Sequence, residues 1–478
     1  MGRARTAAFA ILIALCGSVA HAALPRGIAR SFVEAGVPLN SVAVVVQEVD
    51  APRPLFTHQP LKPMSPASVM KLVTTFAALE LLGPSYRWRT EAYVDGILQQ
   101  GTLKGDLVLK GYGDPKITIE QWQALMSSIR AAGIRDIDGD LVLDRTAFDV
   151  PRHDAAAFDA APLRAYNVGP DALLVNFKTV RFVFAADASG QPKVSVEPPL
   201  ASIHVVATPS GASSTCSDWR AGLLARFVDR GSDADASFAG SYPAACGEKS
   251  WYVALLDAPS YAHAMFTTYF AAAGGSFRGA WRSGVAPRGT PAAVLESPPL
   301  YDIVRDVNKL SNNVMARQVF LTLGLADSGP PATPLRSARA VEQWLRARKM
   351  PMPELVIENG SGLSRSEQIS ASGLVRLLVA ADKSAVRNEF ATSLAVAATD
   401  GTVENRFRQG SVAGQALLKT GTLESVRALA GYVIDGDGRR FAIAAIINDR
   451  NASRGQPALD ALVQWVYAYG AAWARATR

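Results

Sequence analysis

The chain has 478 residues, of which 49% are hydrophobic and 19% charged, with a formal net charge of +7. That is a folded protein too long for one compact core, so two or three domains are expected and a disordered chain is excluded. The lysines and arginines are scattered, with no basic run of five or more, which argues against a nucleic-acid partner.

Residues 1–22 read as a secretory signal: Arg3 and Arg5 form a basic start, Ala7 to Leu15 an apolar run, and Ala20-His21-Ala22 a small-x-small cleavage site. The apolar run is short for a bilayer span, and Leu15 before Cys16 is larger than a lipid-attachment site wants. Cleavage near Ala22 removes two arginines and no acid, taking the net charge from +7 to +5. An exported chain with a mild basic excess suits an anionic polymer such as cell-wall material. The remaining cysteines, Cys216 and Cys246, form an even pair in an oxidising compartment, where a disulfide closing this loop of about 30 residues would stabilise by roughly 3 kcal/mol. Neither cysteine lies in a C-x-x-C pair, so zinc and redox chemistry have no support.

In chain order, Ser41 to Val49 predicts a strand and Ser68 onward a buried helix, with Pro66 in its first turn and Ser65 as its cap. Two copies of G-D-L-V-L, at 105–109 and 139–143, predict short strands on either side of a helix from about Ile119 to Ala132. Residues 166–284 read mainly as short strands and loops, including Val180 to Phe184, Ile203 to Ala207 and Trp251 to Leu256. Helical texture resumes with one long amphipathic stretch over Leu300 to Leu323, then Arg336 to Lys349 and Ser370 to Ala381. Three strands follow, at Gln415 to Gly421, Ala428 to Ile434 and Phe441 to Asn448, and a closing helix runs from about Pro457 to Ala474. The pattern is an α/β (α+β) domain interrupted by a central insertion.

Three short motifs carry chemistry. Ser68-x-x-Lys71 would set a hydroxyl beside an amine on one helical face, and burial would lower the lysine pKa enough for it to take the serine proton. Ser311-Asn312-Asn313 and Lys419-Thr420-Gly421-Thr422 follow, each pattern occurring once. Alone, each is commonplace; together, in this order, they match the S-x-x-K, S-x-N and K-T-G set of serine penicillin-recognising enzymes. No G-x-S-x-G, H-E-x-x-H, G-x-G-x-x-G or P-loop is present, so triad hydrolases, zinc hydrolases and nucleotide cofactors lack support.

On these motifs the chain resembles the D-alanyl-D-alanine carboxypeptidase/endopeptidases of the penicillin-binding protein 4 type, the low-molecular-mass class C penicillin-binding proteins. The likeness extends to Gly111-Tyr-Gly-Asp-Pro115, Asn308 to Asn313, Gly360-Ser-Gly-Leu-Ser-Arg365 and Thr399-Asp-Gly-Thr402; Asn359 stands where the family often has Asp. The long interval from Ser68 to Ser311 separates this pattern from class A β-lactamases. The resemblance implies a serine β-lactamase/transpeptidase-like catalytic domain (23–88 and 285–478) interrupted by two strand-rich domains, one at 89–165 and 241–284 and one at 166–240. It implies Ser68 as nucleophile and Lys71 as base, with Ser311, Asn313 and Lys419 assisting. Thr420, Gly421 and Thr422 would bind substrate, and the backbone N–H groups of Ser68 and Thr422 would form the oxyanion hole. The substrate would be the D-Ala-D-Ala stem peptide of peptidoglycan in the periplasm, with β-lactams as covalent inhibitors and no cofactor or metal. Asp159 and Arg164 are candidate contacts to charged groups of that peptide. Two rivals are a β-lactam-hydrolysing enzyme of the same fold and a non-catalytic peptidoglycan-binding protein; loose membrane or homo-oligomer association stays open.

Overall fold

The computed structural model describes residues 23–476 except 213, 214 and 217, so the signal segment lies outside the described residues. The two ends of the chain meet in one antiparallel sheet whose strand order is Ala395–Val396, Ala416–Leu423, Val426–Ile434, Arg440–Asn448, Val42–Glu48 and Phe56–His58. The near-continuous apolar run of Val42–Glu48 is explained by cover on both faces. Ala43 and Val45 face a helical layer built from Lys71–Leu82, Leu300–Lys309, Asn313–Ser328, Pro334–Ala347 and Ala371–Asp382. Val42, Val44 and Val46 face the first and last helices, Arg26–Glu34 and Gln456–Ala476.

Between Leu82 and Leu300 the chain builds the insertion. A seven-stranded sheet is organised around the hairpin Arg89–Gln99 and Thr102–Gly111. The two G-D-L-V-L copies lie side by side, Leu107, Val108 and Leu109 pairing in parallel with Leu141, Val142 and Leu143. Helices Ile119–Ala131 and Ala258–Ala272 bury their apolar sides against this sheet; Thr118 and Gln121 form a capping box on the first, and Asp257 caps the second. Two smaller sheets follow, joined around Phe182, Phe184, Trp219, Phe227, Phe238 and Trp251. Cys216 and Cys246 form a disulfide beside them, with Cα atoms 4.9 Å apart.

The strand pairing redraws the sequence divisions at two points. Strand Ala234–Pro243 runs across the division at 240, and Lys249–Val253 pairs with Val180–Ala186, so the smaller sheets extend to Val253. Ala293–Glu296, assigned by sequence to the catalytic part, pairs with Arg89–Gln99 and so completes the insertion's larger sheet. Neither segment carries a local signal of its partner.

The insertion grips the helical layer through buried and half-buried polar contacts. Arg317 donates to Val168 O (2.6 Å), Gln318 exchanges bonds with the backbone of Asp171 (3.1 and 2.7 Å), and Lys116 pairs with Asp306 (2.5 Å). Among the described residues no helix is long and apolar enough to cross a membrane.

Candidate active site

The long helix expected over 300–323 is two helices, Leu300–Lys309 and Asn313–Ser328. Ser311 between them has φ 58°, a left-handed conformation that ends the first helix. Asn312 then caps the second, its side chain accepting from Met315 N at 3.0 Å. The break turns Ser311 and Asn313 toward the Ser68 segment instead of leaving them on a helix surface.

Ser68 itself lies in a 3₁₀ turn, Ala67–Met70, that feeds the α-helix Lys71–Leu82. Ser65 is not the expected cap: Pro66 holds that position without a side-chain bond, and the backbone of Ser65 is tied to the Asn448 side chain (2.8 and 2.9 Å). Two glycines let other segments press onto this turn. A Cβ at Gly362 would come 1.8 Å from Ala67 O, and one at Gly421 would come 2.4 Å from Pro66 O. Strand Ala416–Leu423 therefore lies flush against the Ser68 turn at Gly421, where a Cβ would come 3.2 Å from Ser68 N, and Thr422 follows next along the strand.

Three distant segments meet at the amine of Lys71. Its Nζ lies 2.9 Å from Ser68 Oγ, 2.6 Å from Asn313 Oδ1 and 2.5 Å from Ser361 O. Two of these partners are carbonyl oxygens that only accept, and the third is a hydroxyl that can donate. A neutral amine has two N–H donors and one lone pair, which matches that set. Burial holds the Lys71 pKa well below the ordinary lysine value; the nearby charges of Lys419 and Arg317 push the same way and Glu367 opposes them. Lys419, also fully buried, donates to Ser311 Oγ (2.8 Å) and Thr420 O (2.9 Å), and burial pushes its pKa down to about 7. Thr420 Oγ1 meets Thr402 Oγ1 at 2.8 Å.

A group that the motifs do not reveal is Glu367. Its buried carboxylate accepts from the backbone N–H of Glu358, Asn359 and Gly360 on one oxygen (3.0, 2.9 and 2.9 Å) and from Gly362 on the other (2.8 Å). Burial pushes its pKa up while these four donors hold it down. Asn359 adds a second tie, accepting from Ser361 N and Oγ (2.9 and 2.6 Å). Together they fix the loop that presents Ser361 O to Lys71. The Gly-Ser-Gly sequence marks that loop, but a glutamate six positions beyond Ser361 carries no readable sign of its role.

Ser68, Ser311, Asn313 and Thr422 open onto a cleft of about 710 Å³ whose far wall is Phe158, Asp159 and Tyr166 of the insertion. Asp159 accepts from Tyr166 OH (2.6 Å) and Asn167 Nδ2 (2.7 Å). Arg164 does not line the cleft; its guanidinium lies 5.8 Å over the Tyr166 ring, and, against the upward push of desolvation, its charge helps hold the Asp159 pKa down. Arg365 is the cation that lines the cleft; it donates to Phe158 O (2.8 Å) and covers the Phe158 ring. Among the described residues no cluster of three or more His, Cys, Asp or Glu could hold a metal ion.

This is a mixed α/β architecture with strand-rich insertions between the first and second motifs. Residues 28–469 match the D-Ala-D-Ala carboxypeptidase 3 (S13) family, and the chain belongs to it. It is 28% identical over 408 residues to a D-alanyl-D-alanine carboxypeptidase of Actinomadura sp. (strain R39), spanning 83% of this chain and 75% of that protein. Among solved structures it is similar to penicillin-binding protein 4 from Haemophilus influenzae, with TM-score 0.75 and 21% identity over 89% of this chain and 94% of that one. A predatory peptidoglycan endopeptidase from Bdellovibrio bacteriovorus aligns with TM-score 0.53 and 16% identity, covering 89% and 92%. These two structural likenesses speak to the fold alone.

Proposed function

We propose that the protein is a serine-type D-Ala-D-Ala carboxypeptidase that also acts as a DD-endopeptidase on cross-linked stem peptides, in the periplasm after removal of its signal segment. The observation that carries the reading is the environment of Lys71: a buried amine with two carbonyl acceptors and the Ser68 hydroxyl on its remaining side. Ser68 Oγ attacks the penultimate D-Ala carbonyl as its proton moves to Lys71 Nζ. The developing oxyanion is received by the backbone N–H groups of Ser68 and Thr422, where loss of one donor typically costs ~10²–10³ in rate. The C–N bond then breaks, and the leaving amine collects a proton through Ser311 Oγ. Water cleaves the resulting ester and restores Ser68. Lys419, with Thr420 and Thr422, attracts the terminal carboxylate, and Asn313 holds a substrate amide through the Nδ2 that Lys71 does not use. Gly421 binds by being small, letting the strand approach the scissile bond.

Asp159 and Arg365 put one negative and one positive side chain on the cleft lining, which suit a stem peptide whose third residue bears both an amine and a carboxylate. A β-lactam enters as a mimic of the D-Ala-D-Ala amide and stays as an ester on Ser68. The relative from Haemophilus influenzae has been solved with a β-lactam bound, which supports that part of the reading. The direct test is release of D-Ala from a synthetic pentapeptide. The parent should release one D-Ala per peptide and Ser68→Ala none above background; equal release by both would refute the assignment.

A further inference from the structure

The catalytic cleft does not end at the second motif. Past Tyr166, Leu310, Ser311 and Asn313 it continues into a groove of about 510 Å³ lined by the insertion's smaller sheet. A row across three paired strands lies along this groove, Tyr252 opposite Arg181 and Arg181 opposite Glu197. Arg181 is committed within the protein: it pairs with Glu197 (2.9 Å) and Glu248 (2.8 Å), and its Nε donates to Ser250 Oγ (2.8 Å). The row therefore offers a ligand little net charge. What it offers is aromatic surface, with Tyr252 54% and Tyr166 37% exposed and Leu310 66% exposed beside them.

The opposite wall is unusual backbone. Asn176, Phe177 and Lys178 have φ of 46°, 53° and 51°, three successive non-glycine residues in the left-handed region. Tertiary contacts hold them there: Asn176 Nδ2 donates to Thr179 O (3.1 Å) and Tyr261 OH (2.9 Å), and Lys178 Nζ donates to Leu256 O (2.6 Å). Phe177 packs near Val314, one residue from Asn313. Backbone held in a sparsely populated region by its surroundings, along a concave surface next to reacting groups, is the situation in which strain marks a ligand clamp.

We propose that this groove is a subsite for the uncharged glycan backbone that carries the stem peptide. The inference rests on the peptidase reading and extends it. The cleft around Ser68 is lined by Asp159 and Arg365, with Lys419 buried behind Ser311, and suits the charged peptide. The groove has its ionic groups paired internally and its tyrosine faces exposed. Sugar rings have just such a mixed surface: C–H faces that stack on aromatic rings, and hydroxyl and acetamido N–H groups that can donate to the side-chain oxygens of Asn176 and Thr179, both in the groove's lining. In peptide-bearing glycan the muramyl carboxyl is tied up as an amide, so this segment is neutral. Because the two cavities share four residues, one substrate molecule can occupy both.

The test compares kcat/KM for D-Ala release from a free pentapeptide and from the same peptide on its disaccharide, in the parent and in Tyr252→Ala. The parent should favour the disaccharide form, and the variant should lose that preference by roughly five- to tenfold, as expected for one aromatic contact. An equal preference in parent and variant, or none in the parent, overturns the proposal; a fall in both substrates alike marks a structural effect and overturns it too. Peptide-free glycan oligomers titrated by calorimetry test the groove independently of catalysis. Binding weakened in Tyr252→Ala supports the subsite, and absent or unaltered binding refutes it. Should the parent release D-Ala from neither substrate, the peptidase reading fails while the titration still decides the groove.

Discussion

At the residue scale, two buried lysines at one centre determine the pH behaviour. Lys71 must be neutral to take a proton, so acylation rises as pH climbs through its lowered pKa. Lys419 must be charged to attract a carboxylate, so kcat/KM falls as pH rises through a value of about 7. The expected profile is a bell with its alkaline limb set by Lys419 in the free enzyme, read from stopped-flow acylation by a chromogenic β-lactam. A rate that keeps rising to pH 10 would remove Lys419 from that role. Glu367 makes a second prediction. Its negative charge raises the Lys71 pKa, so Glu367→Gln should shift the acid limb to lower pH. The same variant should lose about 1–3 kcal/mol of stability, because the new amide N–H₂ faces Gly362 N–H. Destabilisation with an unmoved acid limb would reduce Glu367 to a structural brace. That Ser68, Lys71 and Asn313 meet, and Ser311 and Lys419 beside them, was legible because the proposed chemistry needs specific side chains in recognisable motifs. Glu367 stayed hidden because what it gathers is backbone N–H groups, which any sequence supplies.

At the element scale, the site depends on where elements stop. Hydrophobic periodicity runs smoothly from Leu300 to Leu323, and nothing in it betrays the break at Ser311, which lies in a left-handed φ set by tertiary contacts such as the Lys419 bond. Removing the cap that restarts the helix, Asn312→Ala, should cost about 1 kcal/mol and slow acylation by more than that loss alone explains, since Ser311 and Asn313 flank it. Thermal melts run beside acylation rates decide this; a stability loss with unaltered acylation would show that the cap does not set the site. Gly362 is the sharper case. It combines φ 80° with a clash of 1.8 Å against Ala67 O, so Gly362→Ala must displace the nucleophile turn and should abolish acylation. Strands were easier to read than this junction: the G-D-L-V-L copies announce two strands, though not that they pair with each other.

At the scale of the whole molecule, the sheet closed by both chain ends carries the site, and the insertion forms the cleft's far wall. The apolar run at Val42 to Val46 was legible as a strand, though not its alternation between two cores, and the order of helices and strands as one interrupted domain. The pairing of Ala293–Glu296 with Arg89–Gln99 was not, because partners just over two hundred residues apart leave no local trace. The Cys216–Cys246 bridge lies in the smaller sheets and neither cysteine lines the catalytic cleft. Replacing both with serine should lower stability by about 3 kcal/mol, the loop-closure value, and leave β-lactam acylation rates intact; a parallel fall in acylation would tie the bridge to the site.

The central claim is an acyl-enzyme on Ser68, and intact-protein mass spectrometry after exposure of the mature chain to a penicillin tests it most directly. The parent should gain the mass of one penicillin, and Ser68→Ala should gain nothing. An unmodified parent, or an adduct that persists in Ser68→Ala, would contradict the account.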